Sequence, residues 1–355
     1  MTRSRLIRWT FYLLLAAVTV ACMEVLIAWT LHHPSLIQHL PHRLAHRMEN
    51  LYAHDVRRII QFDPDFSRYD PEVTYTLHPN ATLQFANVEF ETEIRTNHLG
   101  LRDDERSLAA PEVIVLGDSI TMGWGVQQEE TFAELLEARL GRPVLNAGMP
   151  SYGTVRELRF LDRLDRSRLT CLLVQYAGND VGENLAFATA GNRLAVLPEA
   201  DYRRESDRHL RRIRYVPGKY FYDVFIDPLV PRWRFGTRDR PRLPKTSTTP
   251  AKDFLNAFLH ATVADLSQVQ LIVFQVKGRN EGQSMFADRL RQHLAEGSYP
   301  GWLRRMIILP VDAALTRTHY FDLDDHPNRA GHERIADLVL PHVKACLSET
   351  VSAHP

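Results

Sequence analysis

Glu112-Val113-Ile114-Val115-Leu116-Gly117-Asp118-Ser119-Ile120 is the stretch on which the fold turns. A run of β-branched and leucine side chains ending in a glycine turn reads as a short strand buried on both faces, as in a parallel sheet covered by helices. Outward from it the same signature recurs. Pro143-Val144-Leu145-Asn146-Ala147-Gly148 is a second such strand, and Cys171-Leu172-Leu173-Val174-Gln175-Tyr176-Ala177-Gly178-Asn179-Asp180 is a third. Residues 270–276 and 306–311 supply two more. Helical patterns lie between them. Thr131 and Glu134 form a capping box ahead of Phe132, Leu135, Leu136 and Leu140, which share one face and stop at Gly141. Thr154 and Glu157 repeat the device before Leu158 and Leu161, and further helical segments begin near Ala251 and Gln283. Five strands alternating with helices predict an α/β protein with a flavodoxin-like, doubly wound five-stranded parallel sheet.

The carboxyl edge of such a sheet is where ligands bind, because the loops leaving the strands diverge there. Ser119 falls on that edge, in a position that suits a nucleophile. A serine hydroxyl attacks a carbonyl when a base takes its proton, a third group orients the base, and N–H donors receive the charge on the carbonyl oxygen. The loop Phe321-Asp322-Leu323-Asp324-Asp325-His326-Pro327-Asn328 offers His326 as the base. In an extended loop Asp324, two residues back, projects to the same side as His326, whereas Asp325 projects away. Gly148 N–H and the side-chain amide of Asn179 are candidate oxyanion donors. Each residue also has an ordinary reading: Asn179 and Asp180 as helix caps, Gly148 as a turn glycine, His326 as a loop histidine.

In order along the chain, this serine, glycine, asparagine and histidine resemble the four sequence blocks of the SGNH (GDSL) hydrolase superfamily, over roughly residues 112–347. The resemblance implies that Ser119 is the nucleophile and first oxyanion donor, and that Gly148 and Asn179 complete the oxyanion hole. It makes His326 the base beside an upstream aspartate, and it implies no metal or cofactor. Two positions depart from the family pattern. Ala177 stands where the third block has its glycine, with Gly178 adjacent, and Leu323 stands at the usual place of the triad aspartate, three residues before the histidine. Asp324 then gives an Asp-x-His spacing similar to that of SGNH-like domains attached to exopolysaccharide O-acetylation systems. Asp322 is the second candidate for the acid.

The 355 residues are 45% hydrophobic, enough for a substantial core. Their 43 basic and 43 acidic side chains cancel, so no global field recruits nucleic acid. Between Trp9 and Leu31 the only charge is Glu24, and Arg3, Arg5 and Arg8 precede the run. About 20 apolar residues span a bilayer, and leading basic residues keep the short end in the cytoplasm. Trp9 and Trp29, about 30 Å apart along a helix, suit two interfacial belts. The expected reading is an uncleaved single-pass anchor in a bacterial inner membrane, with the rest of the chain on the periplasmic, extracytoplasmic side. A cleaved signal peptide is the alternative, since Ala16, Ala17, Ala21 and Cys22 offer small residues.

The resulting organisation is a cytoplasmic tail over residues 1–8, the anchor over 9–31 and a polar, solvated linker over 32–50. The linker carries His32, His33, His39, His42 and His46, which lack metal-ligand spacing. Residues 51–110 read as a small β-rich extension packed on the core, with half-buried strands around 73–77 and 83–85. Within it the stretch 96–102 looks like a lead-in module that often precedes this kind of hydrolase domain. Residues 111–350 form the SGNH hydrolase-like domain, with an insertion at about 183–250. Cys22, Cys171 and Cys346 are too few and too scattered for a disulfide framework, and the last two read as core thiols.

Inside the insertion, residues 201–242 hold eleven arginines among six acids, together with Tyr202, Tyr215, Tyr220, Phe221, Tyr222, Trp233 and Phe235. Two readings stand side by side: a lid whose aromatics stack on sugars, or a surface element lying on membrane headgroups. The function expected from the whole is a membrane-anchored extracytoplasmic serine esterase that removes acyl groups, acetyl above all, from a carbohydrate. An O-acetyltransferase acting on exported polysaccharide, a lipid esterase and a non-catalytic carbohydrate-binding or assembly protein are the alternatives.

Overall fold

The computed structural model describes residues 3–230, 249–279 and 285–352. Two antiparallel hairpins come first, β1 (Ser67–Asp70) with β2 (Thr74–Leu77) and β3 (Thr82–Asn87) with β4 (Phe90–Arg95). Five parallel strands then form the central sheet: β5 (Val113–Gly117), β6 (Val144–Gly148), β7 (Cys171–Tyr176), β8 (Gln270–Gln275) and β9 (Ile307–Leu309). Their spatial order is β6-β5-β7-β8-β9, the flavodoxin-like 2-1-3-4-5 arrangement, so the switch point falls between β5 and β7. Gly117 pairs with Gly148 and Leu116 with Val174, so the three strands that carry site residues end nearly level.

Because strand side chains alternate, the sheet presents two apolar faces. Ile114, Leu116, Leu145, Leu172, Val174 and Val273 face one core, covered by the helices Thr154–Leu161, Pro250–His260 and Phe286–Glu296. Val113, Val115, Val144, Leu173, Ile272 and Phe274 face the other, under Phe132–Leu140 and Arg329–Ser352. Cys171 and Cys346 are buried free thiols in that second core.

Several local expectations need correction. Thr131 does cap the helix Phe132–Leu140, and Gly141 ends it in the left-handed region, but Ala133 is buried where Leu135 and Leu140 are only half-buried. Thr154 is not a cap. Gly153 holds that place, the Thr154 hydroxyl donates to Asp180, and the Glu157 carboxyl is buried with neither oxygen hydrogen-bonded. Gln283 lies outside the described residues; the helix placed there covers Phe286–Glu296.

The extension packs on the core as expected, and β3 is half-buried, but β2 is not. β2 is buried throughout, and Phe66, Tyr75, Leu77 and Phe85 share one core with the central sheet. Nor is 32–50 a solvated linker. It forms the helices Pro34–Ile37 and His42–Leu51, whose Ile37, Met48 and Leu51 join Ile27, Leu31, Tyr52, Val224 and Leu323 in a third buried cluster. The histidines of that stretch do lie on its exposed side. The helix Arg3–Leu31 precedes it, and Ile7–Leu31 is long and apolar enough to cross a membrane by length and composition.

In the insertion, Tyr202 is buried against Phe62, Tyr69 and Tyr75, and its hydroxyl meets Ser67 Oγ at 3.0 Å. That ring fastens the helix Glu199–Ile213 to the extension and is not free to stack on a ligand. Trp233 and Phe235 lie outside the described residues.

Candidate active site

At the end of β5, Asp118 accepts the N–H of Ile120 at 2.9 Å and starts a single helical turn, Ser119–Met122, closed by Gly123 at φ +92°. Ser119 is therefore the first residue of a helical turn, where N–H groups have no intrahelical partner. Glycine at 148 is dictated by packing. A Cβ there would stand 2.2 Å from the Met122 nitrogen, so β6 can lie beside the serine turn only without a side chain.

Ser119 Oγ lies 2.8 Å from His326 Nε2, and His326 Nδ1 lies 2.6 Å from Asp324 Oδ1. Asp324 is fully buried. Its second oxygen accepts from Tyr52 Oη at 2.7 Å and from Trp124 Nε1 at 3.2 Å, and the Trp124 ring stacks on the imidazole at 4.8 Å between centroids. Asp322, the other candidate acid, is exposed and faces Arg317. Asp325 does not project away as expected. Its Oδ1 comes within 3.4 Å of His326 Nδ1 while pairing with Arg57 Nη1 at 3.0 Å, because the loop is tightly turned and not extended.

The tight turn has an identifiable cause. The Glu89 carboxylate, in the turn between β3 and β4, accepts three successive N–H groups, from Asp322, Leu323 and Asp324, at 2.6 to 2.8 Å. Leu323, three residues before His326, points into the third cluster with Ile27 and Leu31. The carboxylate beside the imidazole thus stands two residues before it, and Leu323 anchors the loop by burial.

Burial alone would make the imidazole a weaker base. The Asp324 carboxylate outweighs it through charge and hydrogen bond, Asp325 adds to the effect, and the His326 pKa rises to about 9. Asp324 is buried too, which favours its neutral form, but the imidazole and Arg57 hold it below the usual carboxylate range. Asp324, Asp325 and His326 are also the one group, among the described residues, whose ligand atoms lie within 4.8 Å of one another and so could hold a metal ion. Asp324 and the imidazole are occupied with each other and with Ser119, Tyr52 and Trp124.

The oxyanion donors are less complete. Gly148 N–H donates to Asn146 Oδ1 at 3.0 Å, and the Asn179 amide donates to Tyr152 O. An NH₂ group has a second hydrogen to offer; the single N–H of Gly148 does not. Ala177 is the N-cap of the helix Gly178–Thr189, and Asp180 in its first turn accepts from Ala177 N–H at 2.7 Å and from Thr154 N–H at 2.6 Å.

Residues that the sequence did not single out complete the surroundings. Besides Tyr52, Glu89 and Trp124, these include Arg102 in the lead-in stretch. Its guanidinium is fully buried and donates to the carbonyls of Glu93, Gly123 and Val126, which ties the loop after the serine turn to β4. Burial lowers its pKa to about 10, so it stays charged at neutral pH.

The strand order and this line of side chains define a class: a doubly wound α/β protein with a Ser–His–Asp arrangement at the carboxyl edge of its sheet. No family model matches the chain, and no curated protein is recognisably similar. Among solved structures it is similar to a lipolytic protein of the G-D-S-L family from Veillonella parvula, with 14% identity, 65% of this chain and 96% of that chain covered, and a TM-score of 0.38. It is similar to TesA with 14% identity, 66% and 98% covered, and a TM-score of 0.35. A carbohydrate esterase family 2 enzyme from Corynascus thermopiles (Myceliophthora fergusii) gives 11% identity, 66% of each chain covered and a TM-score of 0.35. At such values the likenesses carry nothing about chemistry.

Proposed function

We propose that the chain is a membrane-anchored serine esterase of the SGNH type that removes acyl groups, acetyl foremost, from a carbohydrate on the extracytoplasmic side of a bacterial inner membrane. The observation that carries this reading is the unbroken line from Asp324 through His326 to the Ser119 hydroxyl, with spacings of 2.6 and 2.8 Å. Ser119 Oγ attacks the ester carbonyl as its proton passes to His326 Nε2, and Asp324 stabilises the imidazolium. The same proton then goes to the leaving alcohol. Water, deprotonated by His326, releases the acyl group from Ser119. Ser119 N–H and the second hydrogen of the Asn179 amide serve the oxyanion, and Gly148 N–H joins them when Asn146 releases it. The helix Ile7–Leu31 supports the anchor, and carbohydrate as acceptor or substrate rests on the resemblance.

Hydrolysis of p-nitrophenyl acetate by the purified full chain tests the proposal. Ser119→Ala is expected to lose at least about a thousandfold in kcat/KM; equal rates for the two proteins would end the esterase reading. A second reading, acyl transfer to a sugar hydroxyl, is favoured by Asp324 standing two residues before His326. The acceptor alone distinguishes it: deleting the protein would then lower polysaccharide acetylation, whereas loss of an esterase would raise it.

A further inference from the structure

We propose that residues 215–229 form a second membrane contact, an amphipathic segment that lies in the bilayer interface and continues the anchor; this rests on reading Ile7–Leu31 as that anchor. The starting point is Glu24, the one charge in the apolar run and only 6% exposed. Its carboxylate accepts the backbone N–H groups of Tyr220 at 3.1 Å and Phe221 at 2.7 Å. The insertion is thereby fixed to the anchor at the height of residue 24. A hydrocarbon core takes about 20 helical residues. Counted from Ile7, that many residues reach Leu26, beyond Glu24, so whatever Glu24 holds sits at the bilayer boundary.

The segment is built for such a place. From Lys219 to Leu229 the chain is continuously helical. Tyr220, Val224 and Phe225 turn inward onto the cluster that contains Ile27, Leu31 and Met48. Tyr222, Ile226 and Leu229, spaced i, i+4 and i+7, share the opposite face, and they are 43%, 37% and 73% exposed. Tyr215 and Val216 are half-exposed just before it, and Val25, Leu26 and Trp29 of the anchor are exposed at the same level. Exposed Arg211 and Arg214 precede the segment and have no acidic partner among the described residues, as suits basic residues that meet lipid phosphates. A bilayer surface offers both parts of what this face needs, acyl-chain boundary and anionic headgroup, and it is already adjacent through the anchor.

The consequence reaches the site. Leu323, two residues after Phe321 and three before His326, belongs to the same buried cluster as Ile27, Leu31 and Val224. The segment that rests on the lipid therefore also supports the loop that holds the triad, and it sets that loop at a constant height above the headgroups.

The test uses the full chain in phosphatidylcholine vesicles, with lipid carrying a nitroxide near the head of one acyl chain as the quencher. An environment-sensitive fluorophore is attached at Leu229→Cys in a Cys22→Ser background, at native Cys22, or at Val263→Cys in the Cys22→Ser background. Val263 is 82% exposed and serves as the aqueous control, and Cys171 and Cys346 are buried and remain unlabelled. Interfacial segments sit about 5–10 Å into the headgroup boundary, so the probe at 229 is expected to lose about half its emission. Cys22 is expected to be quenched as well, and 263 to be unaffected. Quenching at Cys22 without quenching at 229 overturns the second contact and leaves the anchor standing. No quenching at Cys22 overturns the anchor reading and the proposal with it. A probe at 229 shielded from aqueous iodide yet untouched by nitroxide means that protein, not lipid, covers this face, and that also overturns the proposal.

Discussion

Ser119 and His326 stand 2.8 Å apart, yet the loops that carry them are held in different ways. The serine turn is a local construction: β5 delivers it, Asp118 caps it, and Gly148 on the neighbouring strand leaves it room. The histidine loop is held from a distance, by Tyr52 after the helix His42–Leu51, Glu89 of the β3–β4 turn and Trp124 beyond the serine turn. It also plants Leu323 in the cluster that the N-terminal helix enters. A nucleophile can be placed by one strand end, but a buried carboxylate beside an imidazole needs donors from several elements, since an unpaired charge there would cost several kcal/mol.

The largest effect expected from this difference is at Asp324. Asp324→Asn keeps the shape of the loop but reverses the preferred tautomer of His326, and about four orders of magnitude in kcat are expected to go. Asp322→Asn, two residues away and exposed, is expected to leave kcat unchanged. Measured side by side on p-nitrophenyl acetate, a large loss at 322 with none at 324 would assign the acid to the wrong aspartate here and remove the long-range support from the chemistry.

Next in size is the pH profile. The base must be neutral to accept the serine proton, and His326 is raised to about 9. Its neutral fraction therefore grows about tenfold per pH unit up to that point. kcat/KM, after subtraction of the Ser119→Ala background, is expected to rise about fiftyfold from pH 7 to 9, and about twofold more before it levels above pH 10. A plateau already reached at pH 7 would mean that the imidazole is far less strongly held by Asp324 than the 2.6 Å contact implies.

The same contrast explains what could be read from the chain. Strand β5, with Ser119 after it, and the level ends of β6 and β7 follow from apolar runs and glycine turns, signals that lie within a few residues of the feature they specify. Leu323 is a different case. As a departure from a family pattern it casts doubt on the triad, and only the packed cluster with Ile27 and Leu31 shows why an apolar residue belongs there. Tyr52 lies 272 residues from Asp324 and Glu89 lies 235 from it; no periodicity links such pairs. The solvated linker expected at 32–50 fails for a related reason. Its histidines are indeed exposed, but Ile37, Met48 and Leu51 are spaced to cover a surface that does not exist until the N-terminal helix, the insertion and the histidine loop meet. Gly148 was legible as a turn glycine, but the packing against Met122 and Thr121 that excludes any side chain there was not.

The smallest effect is also the most direct test of support from a distance. Tyr52→Phe keeps the buried ring and deletes one donor to Asp324 Oδ2, which retains Trp124 Nε1. A hydrogen bond to a charged group is worth about 1.5–3 kcal/mol, so about a tenfold loss in kcat is expected, with KM unchanged because Tyr52 faces the acid and not the ester. Loss of that donor leaves more negative charge on the carboxylate to hold the imidazolium, so the rising limb of the pH profile should move upward. A residue that merely packs the loop would lower kcat at every pH and leave the midpoint where it was. An upward shift without loss of fold would therefore place a side chain 272 residues away along the chain among the groups that set the basicity of His326, and an unmoved midpoint would confine Tyr52 to packing.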